Sequence, residues 1–238
     1  MFDTYNQLAT EVVRRSFRPA EIGQWQHWIA VAGGPGSGKS TLTSALVDRI
    51  NALSKSEDSE LKKDVEGCLT MEGFQYSRKQ LQEIADTHED GVTYEALLAR
   101  RGSPWTFDVG QLVSCLSEAK KNREGLLPTY SRQKSDPVWD PGVRLEMYHQ
   151  IVFVEGNYLL NWDENLGAEV PGQREGAHLQ DASRWKELQP LFDEKWFISC
   201  QSLEKQRERL ISRHLETWTA EKTRMFGEGE SGGAAKKA

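Results

Sequence analysis

Several things are scarce in this chain, and each scarcity narrows what it can be. Its 238 residues include three cysteines, Cys68, Cys115 and Cys200. They are odd in number, far apart and in no Cys-x-x-Cys pair, which excludes a disulfide framework or a cysteine zinc site and predicts reduced thiols in a cytoplasmic protein. No apolar run approaches the roughly 20 residues of a membrane helix. The N-terminus also lacks the basic-then-apolar order of a secretory signal, so a soluble protein with no membrane partner is expected. Basic residues number 30 against 36 acidic ones, a net charge of −6, without the basic excess of a general nucleic-acid binder. Internal repeats are missing, as is the guanine-selecting Asn-Lys-x-Asp pattern, which argues against a GTPase switch.

What is present is concentrated in one segment. The apolar run Trp28-Ile29-Ala30-Val31-Ala32 leads into Gly33-Gly34-Pro35-Gly36-Ser37-Gly38-Lys39-Ser40-Thr41, the pattern G-x-x-x-x-G-K-[ST] of a phosphate-binding loop between a buried strand and a helix. Glycines at those positions let backbone N–H groups turn inward around phosphate oxygens. Lys39 reaches the outer phosphates and Ser40 supplies a hydroxyl to Mg²⁺. The helix they open, with Leu42, Ala45, Leu46 and Ile50 at helical spacing, aims its positive end at the nucleotide.

The length suits one α/β domain with a lid or insertion. Phe2 to Arg18 is amphipathic and predicts an N-terminal surface helix within residues 1–19; Asp3 and Glu11 count against a transit peptide despite Arg14, Arg15 and Arg18. Cys68 to Met71 predicts a second strand, which places Glu72 beyond its carboxyl end, where ligands gather in open parallel sheets; taken without the phosphate loop, Glu72 reads first as a solvated strand-end acid. Ser77 and Asp108 are expected to cap helices. Arg100 and Arg101 suit phosphate or carboxylate, or a solvated surface. Tyr130 to Asp136, with Arg132 and Lys134, predicts a polar loop.

Ile151-Val152-Phe153-Val154-Glu155-Gly156 is a buried strand ending in an acid, a Walker B candidate in which Glu155 would join Ser40 around Mg²⁺. Residues 161–182, rich in Gly, Glu and Asp, read as an acidic excursion from the core. Lys195 to Cys200 predicts a further strand, and residues 202–226 a long charged helix on which Arg207 and His214, seven apart, share a face. Residues 227–238 have the composition of a disordered tail.

In order along the chain, GGPGSGKST, TMEGFQYSRKQL, ARRGSPWTFD, PTYSRQKSDP, IVFVEGNYLL, LFDEKWFI and RERLISRHL resemble the phosphoribulokinase, uridine kinase and pantothenate kinase group of phosphate-loop metabolite kinases, most of all its uridine-kinase-like members. The resemblance implies a doubly wound parallel sheet with a helical lid, binding of ATP with Mg²⁺, and phosphorylation of a hydroxyl on a small metabolite. By the same carry-over, Lys39 and Ser40 contact phosphate and magnesium, Glu155 is the Walker B acid, and Arg207, Arg213 and His214 belong to the lid. Tyr76, Arg101, Tyr130, Arg132, Asn157 and Tyr158 are the candidate acceptor contacts. On the acceptor side the chain departs from its relatives at two places. Glu72-Gly73-Phe74-Gln75 stands where they carry Asp-Gly-Phe-His, whose Asp serves as base, and Ser131-Arg132 stands where they carry Asp-His. A nucleotide-binding module with slow or no hydrolysis is the alternative these departures leave open.

Overall fold

The computed structural model describes residues 2–16, 25–54, 66–87, 93–161 and 182–216, with Trp218 and Thr223. Six strands and six α-helices occur among them: α1 Phe2–Ser16, β1 His27–Ala32, α2 Lys39–Ser54, β2 Glu66–Thr70, α3 Arg78–Thr87, α4 Tyr94–Ala99, α5 Val109–Asn122, β3 Gly125–Ser131, β4 Asp136–Leu145, β5 Ile151–Gly156, β6 Glu194–Phe197 and α6 Leu203–Glu216. β2, β5, β1 and β6 lie in that order in one sheet, every pair parallel. This is the α/β parallel sheet the sequence predicts.

Strand period and burial explain why the sheet is covered on both faces. Successive side chains of β1 point opposite ways. Trp28 and Ala30, with Val152 and Val154, pack against α5 and the short helical stretch Ala182–Leu191. Ile29 and Val31, with Ile151 and Phe153, pack against α1 and α2. A strand covered twice must be apolar throughout, which is why β1 is a continuous buried run and not an alternating one.

The segment from Tyr130 to Asp136 departs from expectation. It is the end of one strand, a four-residue turn and the start of another, since β3 and β4 pair antiparallel from Gly125 opposite Leu145 to Ser131 opposite Asp136. The pairing was hidden by its residues: Pro128, Pro137 and Pro141 all fall within it, and proline normally argues against a strand except at edges and bulges. A shift of register between Leu127 and Thr129 accommodates Pro128.

The hairpin is fastened over the end of β2. A Cβ on Gly73 would lie 2.4 Å from the Pro128 carbonyl oxygen, so only glycine permits this approach. Phe74 meets Trp139 edge-on, ring centres 6.1 Å apart. Arg101 supplies the main polar anchor. It donates to the carbonyl oxygens of Ser135 and Tyr76, forms an ion pair with Asp136 at 2.6 Å, and lies over the Tyr130 ring. The Arg101 side chain is only 7% exposed. Arg101→Ala is therefore expected to destabilise the fold by about 2–3 kcal/mol in chemical denaturation, below a fully buried pair because Asp136 keeps solvent contact.

α1 ends at Ser16, and α6 runs to Glu216. Residues 162–181 of the acidic excursion, most of the lid segment after Glu216, and the tail 227–238 lie outside the described residues. No helix among the described residues is long and apolar enough to cross a membrane.

Candidate active site

The loop from Gly33 to Gly38 leaves the carboxyl end of β1 and delivers Lys39 and Ser40 as the first residues of α2. Gly38 adopts φ +101°, and among the described residues other than its chain neighbours no atom lies within 4 Å of where a Cβ would project. That cradle is closed only by a side chain that glycine does not have. Ser37 closes a turn through its N–H to the Gly34 carbonyl at 3.1 Å, and its buried hydroxyl has no hydrogen-bond partner among the described residues. A buried donor of this kind is unfavourable until something accepts from it. Phosphate oxygens fit both features.

Lys39 is held inside the loop. Its ammonium donates to the Gly33 carbonyl at 2.7 Å, the Gly34 carbonyl at 3.2 Å and Asn157 Oδ1 at 2.8 Å. Asn157 follows β5 directly, so the neighbouring strand orients the lysine. Ser40 Oγ donates to Glu155 Oε1 at 2.9 Å, and Thr43, one turn along α2, donates to Glu155 Oε2 at 3.4 Å. A hydroxyl beside a carboxylate is the oxygen-rich donor set that suits Mg²⁺. Among the described residues no cluster of three or more His, Cys, Asp or Glu could hold a metal alone, which is the expected situation where phosphate and water complete the shell.

Glu72 lies in the short helical turn Met71–Phe74 that caps β2. The Thr70 hydroxyl donates to its carboxylate and also accepts from its backbone N–H at 3.3 Å. The strand end thus fixes both the turn and the carboxylate.

Five charged groups converge here from five parts of the chain: Lys39, Glu72, Arg132, Glu155 and Arg213 all lie within electrostatic reach. Burial lowers the Lys39 pKa, opposed by Glu72 and Glu155 and reinforced by Arg213 and Arg132. Burial likewise raises the Glu155 carboxyl, with Glu72 adding to the rise and Ser40 and Lys39 opposing it. Arg213 is lowered by burial and by Arg132, against the two carboxylates. Lys39, Glu155 and Arg213 are thus held where water solvates their charges poorly, the arrangement expected where bound ions supply the missing compensation.

The raised Glu155 pKa has a stability consequence. The folded protein binds this proton more tightly than the unfolded chain, so the penalty is absent below the ordinary carboxylate range and grows as pH rises through it to the folded value. Glu155→Gln should therefore melt higher than the parent at pH 7 without nucleotide. The difference should close at acid pH. Thermal melts across pH check this, and a less stable variant at neutral pH would contradict it.

The candidate acceptor contacts divide. Glu72 reinforces the rise that burial gives the Tyr130 phenol, and the exposed Arg132 lies within electrostatic reach of Lys39 and Arg213. Asn157 is committed to Lys39. Three others are engaged by the protein itself. Tyr76 is core, packed with Leu81, Leu97 and Trp105. Arg101 anchors the hairpin, and Tyr158 donates to the Gly102 carbonyl at 2.8 Å while packing between Phe107 and Trp185.

The lid residues divide as well. Arg213 is half-buried toward the site, whereas Arg207 and His214 are exposed. At about 100° per residue, Arg207 and Arg213 project about 120° apart, while Arg207 and His214 do share a face, the outer one. The inward face carries Gln206, which donates to the Pro35 carbonyl at 2.8 Å, and Arg209, which donates to Cys200 Sγ at 3.7 Å. Gln206, Arg209 and Arg213 were missed as a set. Their i, i+3, i+7 spacing was the available signal.

The family model described as phosphoribulokinase/uridine kinase matches residues 28–166. The chain belongs to that family. Among curated relatives of this family member, a Schizosaccharomyces pombe protein provisionally named a uridine kinase is 36% identical over 134 residues, 56% of this chain and 51% of that protein. A pantothenate kinase of Levilactobacillus brevis is 26% identical over 198 residues, 83% of this chain and 56% of that enzyme. The chain thus spans little more than half the length of these two relatives. Among solved structures, YFH7 of Saccharomyces cerevisiae, provisionally described as a P-loop kinase with a circular permutation, superposes with a TM-score of 0.64 at 18% identity. That match covers 95% of this chain and 92% of the other; at this identity the likeness is one of fold.

Proposed function

We propose that this protein transfers the γ-phosphoryl group of ATP to a hydroxyl of a small metabolite. The observation that carries the reading is the meeting of four parts at the carboxyl ends of adjacent strands: the Lys39 loop, the Ser40–Glu155 pair, the Glu72 carboxylate and Arg213. In this reading Gly33 to Thr41 wrap the phosphates, and Ser40 and Glu155 hold Mg²⁺, which when bound neutralises charge on the phosphate oxygens. Glu72 accepts the acceptor's hydroxyl proton as the acceptor oxygen bonds to the γ-phosphorus, while the bond from that phosphorus to the bridging oxygen breaks and ADP leaves. Lys39 and Arg213 offset the charge that develops on the migrating group.

Two relatives support the class through their names, uridine kinase and pantothenate kinase, since each implies phosphoryl transfer to a small molecule. The test is incubation with γ-phosphate-labelled ATP, Mg²⁺ and pooled nucleosides, sugars and hydroxy acids. Label is expected in a metabolite from one pool. Label released only as inorganic phosphate would replace this reading with that of a nucleotide-binding ATPase module.

A further inference from the structure

The hydrogen-bonding capacity of Lys39 is already full. An ammonium carries three N–H donors and no acceptor. Here the Gly33 carbonyl accepts one at 2.7 Å, the Gly34 carbonyl another at 3.2 Å and Asn157 Oδ1 the third at 2.8 Å. Lys39 is buried, only 7% exposed. A phosphate oxygen that bonds to this nitrogen must therefore take the place of one of the three.

What holds each acceptor decides which one leaves. A Cβ on Gly33 would lie 2.3 Å from the Ile198 carbonyl oxygen, and Ile198, directly after β6, donates its N–H to the Ala32 carbonyl at 2.8 Å. A Cβ on Gly34 would lie 2.4 Å from the Gln206 amide nitrogen, and the Gly34 carbonyl already accepts from the Ser37 N–H. Gln206 in turn donates to the Pro35 carbonyl. The backbone that carries both carbonyls is thus wedged between the end of β6 and α6, and glycine is what lets it fit there. Asn157 differs in kind. Its acceptor sits on a short side chain in the bend after β5, partly exposed, and among the described residues its amide makes no other hydrogen bond. Rotation of that side chain frees one donor without moving any backbone.

We propose that Asn157 is a positioning residue that acts through Lys39: it holds the ammonium in place while the loop is empty, and an outer phosphate of the nucleotide displaces it on binding. The inference rests on the nucleotide site of the kinase reading and adds to it a residue on the neighbouring strand that sets nucleotide affinity. It carries a distinctive sign. Removing the amide leaves a buried ammonium donor unpaired in the nucleotide-free protein, a cost that phosphate relieves, so the variant binds nucleotide more tightly.

The test is calorimetric titration of the full chain with MgADP, and with Mg²⁺ and a non-hydrolysable ATP analogue. Asn157→Ala should lower Kd about 3- to 10-fold, the range of one net hydrogen bond. Asn157→Leu, which keeps the bulk without the acceptor, should shift Kd the same way and serves if the alanine variant does not fold. Asn157→Asp should raise Kd about 10- to 100-fold, because its carboxylate pairs with Lys39 and repels the incoming phosphate. Thermal melts give a second readout. Asn157→Ala should melt below the parent without nucleotide, and the gap should narrow at saturating MgADP, whereas a merely structural loss would persist. Unchanged or weaker binding in the folded alanine or leucine variant, or tighter binding in Asn157→Asp, would overturn the inference and keep the kinase reading. A parent that binds no nucleotide would overturn both.

Discussion

Lys39→Ala is expected to lower phosphoryl transfer by at least about a thousandfold, the scale associated with removing one preorganised group that stabilises transition-state charge. The reason lies in how completely the side chain is committed. Its three acceptors are two carbonyls of the phosphate loop and Asn157, all neutral, so its full charge remains available to a phosphate. Burial that lowers its pKa also keeps water from screening that charge. Steady-state kinetics on a variant shown by circular dichroism to be folded would check the figure. Loss confined to KM for ATP, with kcat retained, would show that Lys39 binds the nucleotide without acting on the migrating group.

The second large effect is expected at Glu72. Glu72→Gln keeps the size of the side chain and removes its capacity to accept a proton, and should lower kcat about 10²- to 10⁴-fold, the span of general base catalysis. Glu72→Asp is the more telling variant, because the family resemblance implies Asp at this position. Here the Thr70 hydroxyl grips the longer carboxylate, so the shorter one is drawn away both from that hydroxyl and from the acceptor. A loss of about 10- to 100-fold is expected from the displacement. Double substitution with Thr70→Ala separates the two contributions. Near-parental activity in Glu72→Gln would remove Glu72 from the chemistry.

The sequence made the nucleotide half of this site legible for a physical reason. Phosphate binding is done largely by backbone, and backbone that must turn inward needs glycine at fixed spacing, so Gly33 to Ser40 carry their function in their order alone. Glu155 was legible because a doubly covered strand is apolar throughout and an acid at its end stands out. The acceptor half was not. Tyr76, Arg101 and Tyr158 are polar residues near the site in sequence, but their partners are 25 to 56 residues away, at Gly102, Asp136 and Tyr76 itself. Nothing local shows whether an arginine faces a ligand or an aspartate 35 positions on. The hairpin that carries Arg132 was hidden by its own prolines. On α6, charge drew attention to Arg207, while helical angle decided in favour of Gln206, Arg209 and Arg213.

The same contrast accounts for the departures that the family resemblance implies, which fall on the acceptor side. Backbone amides around a phosphate have few workable alternatives, whereas a pocket formed by side chains on a hairpin can be changed one residue at a time. Ser131-Arg132 and Glu72 are both on that changeable side.

The central claim is phosphoryl transfer to a hydroxyl, and acceptor-dependent ADP release by the purified protein with MgATP tests it most directly, with Lys39→Ala as the blank. The account predicts release that rises with one class of acceptor and disappears in the blank. Release that is the same with and without every acceptor, or that persists in Lys39→Ala, would contradict it.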